Sequence, residues 1–465
     1  MLGPASSPTL GVTLANLDQP ARVLGGVDAF SVVVGGIVGV GIFFTPSRVA
    51  QIVGSGGLAL LAWALAGAIV LCGALACAEL GGMYHGSGAH YTILRDAYGP
   101  LPAFLYVFCN ATAIQAGAIA IIAIVCAINL GIAAGGGPPQ GAALFAIAGG
   151  IIVGLTAANI KGVRVGSGIQ NVTMLAKVAT LLAVTVLAAL SAPHAETVVS
   201  AADVPRTSGV VAPVLAALVP AFFTFGGWQQ ALWIAGEVRE PRRILPRAIV
   251  GGVLVVIVVY LLANWAYLRL LGAADVAGSQ ALAADAVAVV WPSAGRRVVA
   301  GAVAVSAFGV LNAQLLAGPR LVHGMARDGR FFPVFGVLGA RTGTPVAAIA
   351  LIGGMSLLLL LAAGPQGVIG RLLNGVVFID GLFFVLTGAA LFLLRRKRPE
   401  ADRPVRVPGY PVVPLVFVIG EVGVVAGSYL DPEVRGATLI GLAWIAAGAV
   451  LYAVRFREGP GEVGA

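Results

Sequence analysis

Apolar runs of about 20 residues, the length that crosses roughly 30 Å of hydrocarbon as a helix, recur about twelve times along the chain. They cover 28–53, 56–79, 102–130, 142–160, 169–190, a sixth from 211, then 249–271, 298–315, 345–363, 372–394, 412–429 and 437–454. Short stretches rich in Gly, Pro and Arg separate them. In lipid every peptide group must be satisfied within its own element, so runs of this length predict helices. The pattern predicts an all-α polytopic membrane protein of twelve transmembrane helices.

Two spans depart from it. The first carries Gly35-Gly36-Ile37-Val38-Gly39-Val40-Gly41-Ile42-Phe43, four glycines where an ordinary span would place Leu or Ala. Glycine weakens a helix by roughly 1 kcal/mol, and unwound backbone survives at membrane depth only where protein or a water-filled cavity satisfies it. Gly35 and Gly39 also form a small-xxx-small pattern that lets two helices pack closely, and glycine is common here, 65 of 465 residues. The sixth span holds a second interruption, Pro220-Ala221-Phe222-Phe223-Thr224-Phe225-Gly226-Gly227-Trp228-Gln229-Gln230. Breaks five spans apart are the signature of two five-helix repeats of inverted topology, each opening with a discontinuous helix. The pair favours a binding site over packing. The expected organisation is a tail (1–26), a first repeat (27–192), a second repeat (209–394), a basic loop (395–410), two further spans (411–455) and a tail (456–465).

Composition supports the membrane reading. With 59% hydrophobic residues, 10% charged and a mean hydropathy of +0.98, the chain cannot present a water-soluble surface. The net charge of +9 does not imply a nucleic-acid partner, because the basic residues sit in short loops. If the N-terminus is cytoplasmic, about 20 Lys and Arg lie in inner loops against about 7 outside, which predicts both termini in the cytoplasm of a multi-pass protein of the inner (plasma) membrane. Residues 1–26 lack the apolar core of a cleavable signal. Cys72, Cys77, Cys109 and Cys126 all fall inside spans and read as small packing residues.

Chemistry-bearing residues are few. His85, His90, His194 and His323 are dispersed, and no metal-ligand or nucleophile–base spacing appears within the spans, so no enzyme, metal or cofactor is expected. Nothing in the spans suggests the rings or filter of a channel. Lys177 is a basic residue well inside a long apolar run, and an intramembrane charge marks a functional site unless it snorkels to the interface. Asp380 and Glu421 interrupt spans ten and eleven. Glu421 reads as interfacial or structural, and Asp380, lying deeper, as a secondary candidate for proton or substrate contact.

With these residues in view, the chain resembles the amino acid–polyamine–organocation (APC) superfamily, in its L-amino-acid-transporter-like branch. The likeness rests on Gly36 to Phe43, on Ala78-Glu79-Leu80 with Ser87-Gly88-Ala89-His90-Tyr91, and on Phe223 to Trp228. It extends through Glu237 to Ile249, Arg320, Ala326 to Arg330 and Arg403 to Pro411, nearly the whole chain in order. The resemblance implies a LeuT-like fold, ten core helices in a 5+5 inverted repeat plus two C-terminal helices. It also implies alternating access, with spans 1, 2, 6 and 7 rocking against spans 3, 4, 8 and 9.

An α-amino acid is a zwitterion, and a broken helix answers both of its ends from main chain. N–H groups of Gly39, Val40 and Gly41 face the carboxylate, and carbonyls near Ile37, Phe223 and Gly226 face the ammonium. Where similar transporters often carry Ser between the span 1 glycines, this chain has Val40. The resemblance makes Phe223 an aromatic lid, puts Thr224 beside it, and sets Trp228, Gln229 and Tyr260 near the side-chain pocket. Lys177 matches a lysine that stands in place of a sodium ion, with Ser306 as a hydroxyl partner. The expected function is sodium-independent transport of small neutral L-amino acids such as alanine or serine by exchange. Proton-coupled symport and a cationic amino acid or polyamine permease are the alternatives. The outer loop 131–141 has no cysteine, so no disulfide-linked ancillary subunit is expected.

Overall fold

The computed structural model describes residues 21–43, 45–135, 138–191, 210–279, 282–292, 294–363, 368–430 and 432–457. Among the described residues the protein is helical, with one isolated β-bridge between Leu24 and Val238. Eight of these helical segments are long and apolar enough to cross a membrane, and four shorter apolar helices accompany them.

The order begins with α1 (Gly26–Ile37) and α2 (Thr45–Val53), two halves of one apolar run. Helix α3 (Gly56–Met83) is followed by the short α4 (Ala89–Tyr98). Helix α5 (Pro100–Cys109) passes through a π-helical turn, Asn110–Ile114, into α6 (Gln115–Ala133). Helices α7 (Gly141–Ile160) and α8 (Val163–Leu190) precede α9 (Val211–Thr224), after which only a single turn, α10 (Gln230–Trp233), resumes the helix. Then come α11 (Pro241–Gly278), α12 (Leu282–Ala288), α13 (Gly295–Ala317), α14 (Pro319–Arg327), α15 (Val346–Ala363), α16 (Val368–Lys397), α17 (Val412–Leu430) and α18 (Pro432–Arg455). Helix α11 starts eight residues before the expected 249. Pro241 fits a first turn, where no N–H is needed, and Arg242 and Arg243 fall outside an apolar window.

Close packing of small residues holds the bundle. Helix α11 runs along α3 and α1, while α13 runs along α6 and α8. A Cβ on Gly73 would stand 2.5 Å from the Phe417 ring, so α3 and α17 approach as only glycine permits. Outward-facing Val172, Leu175, Leu361 and Val450 are exposed, as a lipid-facing surface requires.

Ion pairs tie the loops at one end. Glu79, fully buried on α3, accepts Arg395 Nε at 2.9 Å and Nη2 at 2.5 Å, together with the Val407 N–H at 2.7 Å. Glu237 takes Arg320 in a buried two-bond pair at 2.8 and 3.1 Å. Here Gly88, at φ +67°, lies so close to the Arg320 carbonyl that a Cβ would come within 2.6 Å of it. His90 is buried in α4. It meets Thr387 Oγ1 at 2.6 Å and Tyr106 Oη at 2.8 Å, and Tyr106 accepts Trp233 Nε1 at 3.0 Å. All four cysteines are free thiols.

Candidate functional site

Both expected interruptions are present. Helix α1 ends at Ile37, Val38 to Val40 is non-helical, and a 3-10 turn, Gly41–Phe43, precedes α2. Helix α9 ends at Thr224 and residues 225–229 form turns around Gly227 at φ +117°. The two breaks touch through backbone. A Cβ on Gly227 would lie 2.5 Å from the Gly36 carbonyl oxygen, and one on Gly36 would lie 3.0 Å from the Gly227 oxygen. A side chain at either position would push the segments apart.

Carbonyls released by the first break are met from three neighbouring helices. Lys177, fully buried on α8, donates through Nζ to Gly35 O and Val38 O, each at 2.7 Å. Its stem also packs on α13, where a Cβ on Gly309 would sit 3.1 Å from Lys177 Cε. The Tyr260 hydroxyl from α11 donates to Ile37 O at 2.9 Å and lies 3.3 Å from Thr224 O, so one group bridges both breaks. Ser306 Oγ on α13 donates to Gly39 O at 3.2 Å. It therefore secures the break itself; its expected partner was Lys177. No backbone acceptor among the described residues meets the N–H groups of Gly39, Val40 and Gly41. Gly227 N–H is satisfied locally by Gln229 Oε1 at 3.0 Å.

A cavity of about 240 Å³ opens at this junction. That is below the roughly 300–1,000 Å³ of pockets for drug-sized ligands, so a small molecule is the natural occupant. Of the residues singled out from sequence, Ile37, Gly39, Val40, Gly41, Thr224, Gly226 and Gln229 line it. Trp228 and Tyr260 do not, contrary to expectation. Trp228 stacks on Phe384 with ring centroids 5.3 Å apart and meets Phe417 edge-on, so it backs the wall that Phe384 presents. Tyr260 stands behind the breaks, its ring packed against Trp63 and Phe225. The side chain of Phe223, the expected lid, lies outside the described residues, and the neighbouring Phe222 lines the cavity.

Of the opposite wall, sequence reasoning singled out only Asp380 as a contact candidate. Helix α6 contributes Gln115, just after the π-helical turn, a feature that often marks functional sites. Helix α13 contributes Gln314, α16 contributes Asp380 and Phe384, and α17 contributes Glu421. Glu421, read as interfacial, thus faces the cavity. Gln115, Gln230 and Gln314 are each buried, and the Oε1 of each has no hydrogen-bond partner.

Residues 24–454 match the family model described as amino acid permease. The b(0,+)-type amino acid transporter 1 of Homo sapiens is 31% identical over 416 residues, covering 88% of this chain and 83% of that protein. The serine/threonine exchanger SteT of Bacillus subtilis (strain 168) is 28% identical over 441 residues, covering 94% and 98%. The cystine/glutamate transporter of Homo sapiens is 28% identical over 443 residues, covering 92% and 83%. Each of these relatives is a transporter or exchanger of amino acids by its description.

Proposed function

The chain belongs to the amino acid permease family, in the L-amino-acid-transporter-like branch of the APC superfamily, and from that membership we propose that it is a sodium-independent exchanger of L-α-amino acids working by alternating access. It is a multi-pass membrane transporter, not an enzyme. The observation that carries the finer reading is the backbone contact of two helix breaks at the edge of one small cavity. Such a junction offers donors to a carboxylate and acceptors to an ammonium without burying an unpaired charge.

In this reading the carboxylate of the substrate takes the open N–H groups of Gly39, Val40 and Gly41, helped by the positive end of α2. The ammonium donates to carbonyls at Ile37 and Gly226, the first of which Tyr260 holds in place. Lys177 supplies a tethered positive charge where a sodium-coupled carrier would hold an ion. That assignment is supported by its two short bonds to Gly35 and Val38. The breaks fall in the first helices of segments 27–192 and 209–394, in keeping with a twelve-helix, 5+5 inverted-repeat organisation with both termini in the cytoplasm of the plasma membrane. Neither break holds an acid, which fits small neutral substrates such as alanine or serine at the main-chain grip. The cysteine-free loop 131–141 fits a carrier that works without a covalent partner.

Counterflow in proteoliposomes tests the proposal. Labelled alanine or serine should enter faster into vesicles preloaded with unlabelled amino acid, equally with sodium or choline outside. Uptake that requires a sodium gradient, or that ignores the internal pool, refutes it.

A further inference from the structure

Three side chains of α8 reach across to α1. Asn171 Nδ2 donates to Asp28 Oδ1 at 2.8 Å, Gln170 Nε2 to Ser31 O at 3.0 Å, and Lys177 Nζ to Gly35 O and Val38 O. The positions met, 28, 31, 35 and 38, recur at intervals of three and four, so they follow a single stripe along α1 and into its break. The bonds differ in what they serve. Gly35 O and Val38 O belong to the break, so Lys177 answers acceptors that the break released. Ser31 O lies in the regular part of α1, where the helix's own bond from four residues on serves it. The backbone there does not need Gln170.

What holds Gln170 in place is a relay of buried amides. Asn159 on α7 donates to Asn312 Oδ1 on α13 at 3.0 Å. Asn312 donates to Gly166 O at 2.8 Å and to Gln170 Oε1 at 3.3 Å, and Gln170 donates onward to Ser31 O. All three amides are at most 1% exposed, and amides that donate in one direction polarise one another. The last link crosses α1 at Gly35, where a Cβ would stand 1.8 Å from Gln170 Nε2, so only glycine lets the amide lie against the helix. The relay thus runs from α7 and α13, through α8, to the stem of α1 below its break.

In this structure the protein is closed at the end that carries the ion pairs. Gly88 N–H donates to Trp233 O at 2.9 Å, and a Cβ on Gly236 would lie 2.6 Å from Ser87 N. The cavity extends from the breaks the other way, along α6 from Gln115 to Val125.

We propose that Gln170 is a positioning residue for transport: by tying the stem of α1 to α7 and α13 through the amide relay, it sets the balance between the state closed at the ion-paired end and the state open there. This rests on the alternating-access reading above, in which span 1 rocks against spans 4 and 8. Lys177 shapes the grip, and Gln170 sets how often the grip faces each side. Removing the amide shifts a population and leaves substrate contacts alone, so apparent affinity falls on one face of the membrane and rises on the other.

The test compares wild type with three variants of the full chain. Gln170→Met keeps the bulk and deletes the amide. Asn171→Ala removes the bond to Asp28 at the edge of the same seam. Thr180→Val is a control on α8, where the hydroxyl bonds Ala176 O of its own helix. KM for amino acid exchange is read in intact cells and in inside-out vesicles. In Gln170→Met and Asn171→Ala it should rise at least threefold in cells and fall at least threefold in inside-out vesicles, while Thr180→Val leaves both unchanged. Amide hydrogen exchange of the protein in detergent should be at least threefold faster across 26–37 in Gln170→Met, with α13 unchanged. KM values that stay put, or that move together on both faces, overturn the proposal, because a merely weakened fold acts on both faces alike. If Gln170→Met does not reach the membrane, Asn171→Ala decides by the same two values. If wild type exchanges no amino acid on either face, the transport reading fails, and hydrogen exchange then decides the clasp: protection of 26–37 that survives Gln170→Met overturns it.

Discussion

Replacing Lys177 with methionine keeps the bulk of the stem and deletes only the ammonium. In the structure that ammonium makes two bonds of 2.7 Å to Gly35 O and Val38 O, and the side chain is fully buried. Hydrogen bonds to a charged group contribute about 1.5–3 kcal/mol each, and a buried acceptor left alone costs a similar amount, so the broken conformation loses about 3–6 kcal/mol. At about 1.4 kcal/mol per factor of ten, even the low end predicts a fall of at least about 100-fold in exchange. The assay is amino acid counterflow into proteoliposomes with equal amounts of monodisperse protein. Lys177→Ala should behave alike. Full turnover in either variant would refute the view that a tethered cation holds the first break in its binding shape.

Four further outcomes are expected. Tyr260→Phe removes the one hydroxyl that spans Ile37 O and Thr224 O, which at about 0.5–1.5 kcal/mol per hydrogen bond should weaken apparent affinity by up to about tenfold, read as KM in uptake assays. Gly227→Ala forces a Cβ to 2.5 Å from Gly36 O at φ +117°, and steric conflict plus about 1–3 kcal/mol of backbone strain should abolish uptake. Arg320→Ala strands the buried Glu237 carboxylate and should cost about 3–5 kcal/mol, seen as a lowered melting temperature, whereas replacing both partners with leucine should recover much of that loss. Substituting choline for sodium should leave the initial rate of wild-type exchange unchanged.

Much of this architecture was legible in the sequence because its signals are local. Helical spans announce themselves through apolar length, and the first break at 38–40 falls inside the glycine-rich run that predicted it. The turn at 225–229 coincides with the glycine pair of the second. What stayed hidden depends on which face of a helix meets which neighbour. Glu421 sits in an apolar helix with no flanking motif, and only the packing of α17 on α16 brings it to the cavity. Trp228 occupies a turn from which an indole can swing to either side, and the stack on distant Phe384 decides the matter. Ser306 was assigned to the right neighbourhood but the wrong partner, since its hydroxyl reaches the Gly39 carbonyl. Gln115 and Gln314 look from sequence like ordinary polar interruptions, and only depth reveals their unanswered oxygens.

The contact between Gly36 and Gly227 makes the two interruptions a single joint. Because peptide groups abut with no side chain as a spacer, a shift in one strap is transmitted to the other, and substitutions on the two sides should be strongly non-additive. Retargeting such a carrier by altering the joint would break the handle common to all its cargoes. The adjustable part is the lining contributed by α6, α16 and α17, and diversification of what this protein carries is open there without dismantling how it carries.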